Sequence, residues 1–253
     1  MSFSTIAPIY DRFNDLDVYE QWLDFTLSSL DQAPSKVLDV ACGTGWFTQL
    51  LEPFCQSITA IDIDEGMLKI ASKEQLPTSS IMYQQADMLN LASFDEDFDL
   101  VTCYADSLCF LQDQADVAAA LKEMYQRLTK SGTLLFDVWT PYQVSQAFDS
   151  FNYFDSDETA AILWDSEVEV DKLEVSHYLT VFDKQSGHTG KDLYQRHDVI
   201  LTERTYPLEI YQRLLQAAGF DLNKMEVLVD FGAAYYDETK HSKADRWFFR
   251  CVK

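Results

Sequence analysis

Five short apolar runs recur along residues 36–139: KVLDVA, SITAIDID, IMYQQADM, FDLVTCYAD and GTLLFDVW. Each is short enough for a strand; KVLDVA, short and β-branched, and SITAIDID read as strands buried on both faces. Between them lie helical patterns. WFTQLLEPF follows the first run and is stopped by Pro53. EGMLKIASKE follows the second, and Val117, Leu121, Met124 and Leu128 fall at helical spacing, with Gly132 just past their end. Strands that alternate with helices imply a parallel sheet covered on both sides, so the expected class is α/β. Residues 5–31 read as a further helix, with Tyr10, Phe13, Leu16, Trp22, Leu23, Phe25 and Leu30 in loose apolar stripes.

The pattern breaks at residue 151. Leu173, Val175, His177, Leu179 and Val181 alternate along one segment, and Leu193, Gln195, His197, Val199 and Leu201 along another. The polar, glycine-punctuated stretch DKQSGHTGK between them suits a hairpin connection. Residues 151–206 are therefore expected to form an antiparallel β insert of about three strands. The α/β pattern resumes with PLEIYQRLLQAAGF, where Pro207 suits a helix start and Gly219 a helix end. Two last strands follow, KMEVLVDF and DRWFFRCV, joined by the polar loop 232–244. Residues 1–150 and 207–253 then make one domain, interrupted by the insert.

At 253 residues the chain can bury one substantial core plus a small lid. Acidic residues outnumber basic ones 42 to 19, a formal charge of −23. A protein that grips a nucleic-acid backbone needs clustered Lys and Arg, so DNA and RNA are disfavoured as partners. The acidic field suits a small neutral or cationic partner instead, although most of these charges simply keep a surface solvated. No apolar run of about 18 residues exists, so no membrane span is expected. The N-terminal stretch has no basic segment leading into an apolar one, the mark of a secretory signal. The five cysteines are scattered without a C-x-x-C pair, which argues against a disulfide frame or a metal site and for a reduced, cytoplasmic protein.

Chemistry concentrates in VLDVACGTGWFTQLL. In an open α/β sheet, ligands bind beyond the carboxyl ends of the strands, where a glycine turn lets backbone approach them. Gly43 and Gly45 occupy that turn, and the next strand ends in Asp62, 17 residues past Gly45, placed to accept from ribose hydroxyls. A dinucleotide fingerprint asks for a third small residue where this chain has Thr48. Asp39 sits inside the first strand end, awkward beside a diphosphate but suited to an ammonium group. Asp87 and the Met88 backbone, at the end of the third run, could meet an adenine edge. Carboxylates on successive strand ends fit S-adenosyl-L-methionine better than NAD.

VLDVACGTG, AIDIDEGML, QQADM and GTLLFDV resemble the successive motifs of the Rossmann-like class I S-adenosylmethionine-dependent methyltransferases. IYDRF, YADSL, FDVWTPY and ERTYPLEIYQRLLQAAGF make the chain similar to the YqeM-like bacterial methyltransferases. The resemblance implies a seven-stranded, mostly parallel sheet whose last strand is antiparallel. It also implies Asp39, Cys42, Gly43 and Gly45 around the methionine part, Asp62 and Ile63 at the ribose and adenine, and Asp87 and Met88 at the adenine edge. Tyr104 would sit near the methyl group and Tyr10 would close over the cofactor. Cys109-Phe110 stands where the pattern carries Asn-Tyr, and Leu201 where it carries His. The expected reaction is in-line methyl transfer to nitrogen or oxygen of a small-molecule acceptor, without a metal. The alternative is a cofactor-binding regulator that has lost turnover.

For the acceptor, Asp106 and Ser107 follow the fourth strand, as an orienting carboxylate and hydroxyl or as a helix cap. His177 is a substrate contact or a core histidine, and Arg204 binds a substrate carboxylate or pairs with Glu203. Cys42 suits the loop because it is small. The insert, leaving after the fifth strand, is placed to act as a substrate lid.

Overall fold

Strands β1 (Lys36–Val40), β2 (Ser57–Asp62), β3 (Ile81–Gln85), β4 (Phe98–Cys103) and β5 (Leu128–Trp139) arise from the five apolar runs. The computed structural model describes residues 16–73, 75–94, 97–185 and 193–253. Helix α1 (Asp17–Ser28) precedes β1, α2 (Trp46–Leu51) and α3 (Glu65–Lys73) follow β1 and β2, and α4 (Gln114–Arg127) joins β4 to β5. Asp113 caps α4, its carboxylate accepting from the amides of Ala115 and Asp116 at 2.8 and 3.0 Å.

After β5 the chain forms a separate antiparallel sheet of β6 (Asn152–Ser156), β7 (Ala160–Glu169), β8 (Glu174–Gln185) and β9 (Leu193–Arg204), in that order. It then returns through α5 (Leu208–Ala218), β10 (Met225–Val229), β11 (Ala234–Tyr235) and β12 (Arg246–Val252). The main sheet has the order β11-β10-β12-β5-β4-β1-β2-β3. Strands β1 to β5 pair in parallel, and β12 runs antiparallel between β5 and β10. Strand order reverses between β1 and β4, which opens the crevice where an α/β sheet takes its ligand.

Alternation along the strands builds a core on each side of the sheet. Leu38, Val101, Phe136 and Phe249 join one, against α4 and α5. Val37, Leu100, Leu135 and Phe248 join the other, with Trp22 and Phe25 of α1. Each such side chain contributes about 1.5–3 kcal/mol by leaving water.

Three expectations are corrected. The insert has four strands rather than about three, because β6 is exposed at every residue and shows no alternation. The main sheet has eight strands rather than seven, the addition being the two-residue β11 inside the polar loop. Gly132 lies within β5 instead of past a helix end: α4 stops at Arg127, and Leu128 already pairs with Phe98. On β8, Val175, His177, Leu179 and Val181 share the buried face as expected, while Leu173 stands in the left-handed turn before it (φ 50°).

Candidate active site

A cavity of about 360 Å³ opens at the carboxyl ends of β1, β2 and β4, beneath α1. After β1 the chain turns through Ala41, Gly43 and Gly45, all at positive φ, and enters α2. The Cys42 amide donates to the Ile61 carbonyl at 2.9 Å and the Gly45 amide to the Cys42 carbonyl at 2.9 Å, which ties the turn to β2 and to itself. Gly43 and Gly45 differ in what surrounds them. A side chain on Gly43 would meet nothing within 4 Å, and Gly43 lines the cavity. On Gly45 a Cβ would come within 2.6 Å of the Tyr83 hydroxyl and 3.0 Å of the Ala71 Cβ. Gly45 is therefore bare where protein packs against it, and it does not line the cavity.

The two strand-end acids are held by their own chain. Asp39 is buried and accepts from the Thr48 hydroxyl at 2.5 Å and the Thr102 hydroxyl at 2.8 Å. Burial raises its pKa to about 6 despite those hydrogen bonds, with a smaller push from Asp62. Thr48, which the fingerprint treats as a missing small residue, is thus the partner of Asp39. Asp62 accepts from the Gly43 amide at 2.9 Å through one oxygen and from the Asp64 amide at 2.8 Å through the other. Burial raises its pKa as well. A carboxylate offers about four lone-pair positions, so both oxygens keep capacity for a ligand's hydroxyl groups.

Cys42, Ile63, Met88, Tyr104 and Ser107 also line the cavity. Ile63 is 65% exposed, leaving its apolar face available. The Tyr104 hydroxyl hydrogen-bonds Thr26 of α1 at 2.8 Å, and its ring stacks on Trp22. Burial holds the phenol well above its usual range, and does the same for the Cys42 thiol. Ser107 is engaged, donating to the Tyr104 carbonyl at 2.7 Å.

Other expected site residues lie elsewhere. Asp87 is exposed, and its carboxylate accepts from the Leu89 amide at 2.9 Å in a turn outside the cavity wall. Asp106 is turned inward and pairs with Arg246 at 2.8 Å, because the left-handed turn after β4 directs its side chain into the protein. His177 is buried in the insert beside Ser166 (2.7 Å) and Trp164 (3.0 Å), and desolvation lowers its pKa to about 4. Arg204 pairs with Glu174 and donates to the Gln112 carbonyl at 2.7 Å; Glu203 instead accepts from the Trp139 indole. Tyr10 lies outside the described residues. Of the unusual positions, Phe110 reaches the cavity, Cys109 is buried beneath it, and Leu201 packs in the insert core opposite His177.

Sequence reasoning missed the aromatic wall. Tyr19 and Trp22 of α1, with Trp46 and Phe47 of α2, face the same cavity. Their signal, an apolar stripe on a helix, is the one any core-facing helix gives. Trp22 adds a further mark, since its indole nitrogen is buried with no hydrogen-bond partner among the described residues. No lysine or arginine is among the described residues of the wall, and no described cluster of His, Cys, Asp and Glu could hold a metal ion. No described helix is long and apolar enough to cross a membrane.

Residues 38–136 match the family described as a methyltransferase domain. The whole chain is 30% identical over 253 residues to YqeM of Bacillus subtilis (strain 168), a protein that carries a methyltransferase name, and the match covers 98% of that protein. A crystal structure of an S-adenosylmethionine-dependent methyltransferase from Clostridium acetobutylicum ATCC 824 superposes with a TM-score of 0.77. It is 23% identical, covering 98% of this chain and 96% of the other. The SAM-bound structure of CalS10, an amino pentose methyltransferase from Micromonospora echinaspora, gives a TM-score of 0.73 at 18% identity, covering 100% of this chain and 98% of the other. These likenesses establish the fold as the one such methyltransferases share. Matched along its whole length by YqeM, the chain belongs to the YqeM-like family of methyltransferases.

Proposed function

We propose that the protein transfers the methyl group of S-adenosyl-L-methionine to a small-molecule acceptor, with the cofactor in the cavity between β1, β2 and β4. One observation carries this reading: Gly43 presents bare backbone to open space in a wall that also holds Asp39 and Asp62. The donor set fits the group. Asp39 suits the ammonium of the methionine part and Asp62 the ribose hydroxyls, while Ile63 and Met88 offer apolar surface to the adenine. A wall whose described residues include no lysine or arginine is poorly suited to a diphosphate, which argues against a dinucleotide.

Bound there, S-adenosyl-L-methionine supplies a methyl group already activated by the sulfonium. The residues of the chain need only align an acceptor lone pair about 3–3.5 Å from that group and keep water out. Tyr104 is held by Thr26 with its proton on, and Asp106 is engaged by Arg246, so neither is arranged to take a proton from the acceptor. Ionisable acceptors would then arrive as neutral amines or as hydroxyls already acidic enough to release their proton to water. The Tyr104 and Trp22 rings bound the space beside the post-β4 turn, where the acceptor would enter. The insert is the natural cover for that entry, because β9 packs against Ser107–Phe110.

The test is incubation with methyl-tritiated S-adenosyl-L-methionine and a bacterial cell extract divided into macromolecular and metabolite fractions. Label should pass to the metabolite fraction and be lost with Asp62→Ala. Label passing only to macromolecules, or to neither fraction, would contradict the proposal.

A further inference from the structure

The turn after β4 holds two consecutive non-glycine residues in the left-handed region, Ala105 at φ 54° and Asp106 at φ 51°. That conformation is strained for a residue with a side chain and persists only where the surroundings enforce it. The turn also forms part of the cavity wall, through Tyr104, Ala105 and Ser107. What enforces it lies behind the wall. The Asp106 amide donates to the Asp137 carboxylate at 3.1 Å, and the Asp106 carboxylate pairs with Arg246 at 2.8 Å. The other arm of the same guanidinium pairs with Asp137, on β5. The guanidinium lies 3.7 Å from the Trp139 ring centroid and 5.6 Å from that of Trp22, itself a cavity residue.

We propose that Arg246 is a positioning residue for methyl transfer. It does not line the cavity; it bolts Asp106 to Asp137 and backs Trp22, fixing two parts of the wall that the cofactor and acceptor meet. The inference rests on the cavity being the cofactor site. Stability alone does not explain the choice of residue, since buried ion pairs are often replaced by apolar groups at no loss. A planar fork that reaches two carboxylates while stacking on an indole does require arginine. Lysine keeps the charge but is a single point donor, so it can hold one carboxylate and leave the other loose.

Arg246→Lys and Asp106→Asn test this, with three readouts: melting temperature, calorimetric affinity for S-adenosyl-L-methionine, and amide exchange at residues 104–107. In folded Arg246→Lys the dissociation constant should rise at least tenfold and exchange at 104–107 should quicken by a similar factor. Asp106→Asn, which retains the Arg246–Asp137 pair, should shift both in the same direction by less. A purely structural role would lower the melting temperature and leave the affinity of the folded protein unchanged. An affinity within twofold of wild type, with unaltered exchange at 104–107, would overturn the proposal. If Arg246→Lys does not fold, Asp106→Asn decides by the same criteria. Failure of the wild-type protein to bind would remove the cofactor reading instead, and exchange at 104–107 would still decide whether Arg246 clamps the turn.

Discussion

Gly43 and Gly45 stand one residue apart and are bare for different reasons, which makes them separable by mutation. Gly45→Ala drives a methyl group against Tyr83 and Ala71 in addition to straining φ 81°, so it should lower the melting temperature markedly. Gly43→Ala meets no neighbour and carries only the strain of φ 55°, about 1–2 kcal/mol. Its larger effect should be weakened binding of S-adenosyl-L-methionine, measured by calorimetry on the folded variant. Asp39 gives a pH signature. Its folded pKa, about 6, lies above the 3.8 of an exposed aspartate. The folded protein therefore holds this proton more tightly, and the associated stability is present below about pH 3.8 and lost as pH rises through about 6. Relative to Asp39→Asn, wild-type stability in urea should fall across that window by about 3 kcal/mol, from roughly two units at 1.36 kcal/mol each. His177 titrates in both proteins and cancels in the comparison. At this scale the sequence shows which residue types sit at the strand ends but not where their side chains turn. Thr48 reads as a broken glycine motif until its hydroxyl is found on Asp39, and Asp106 reads as a site acid until Arg246, 140 residues later, is found to hold it.

Elements were legible where burial imposes a period. β1, β2, β4 and α5 carry continuous or helical apolar patterns and fall where the residues imply, as does the buried face of β8. β6 and β11 were not legible, because an exposed strand and a two-residue strand owe their pairing to a neighbour rather than to their own composition. The start of α4 has a local cause that can be tested. Asp113→Ala leaves two amides of the first turn without their acceptor and should destabilise the protein by about 1 kcal/mol in urea unfolding. The affinity for S-adenosyl-L-methionine should be untouched, since α4 contributes no residue to the cavity wall.

Across the whole molecule, the insert leaves after β5 and returns before α5, and its two ends are fastened together. The Thr205 hydroxyl donates to the Trp139 carbonyl, and the Trp139 indole to Glu203. Trp139 also stacks on Arg246, so the root of the insert and the back of the cavity wall share one residue. The cavity itself lies at the reversal of strand order, where the architecture alone would put a ligand, and Asp39, Asp62 and Gly43 stand in its wall. The most direct measurement is a calorimetric titration of the protein and of Asp62→Ala with S-adenosyl-L-methionine. Saturable binding at one site per chain is predicted, weakened in the variant by about 1–3 kcal/mol as ribose hydroxyls lose their acceptor. Absence of binding, or equal affinity in the two proteins, would contradict the placement of the cofactor in this cavity.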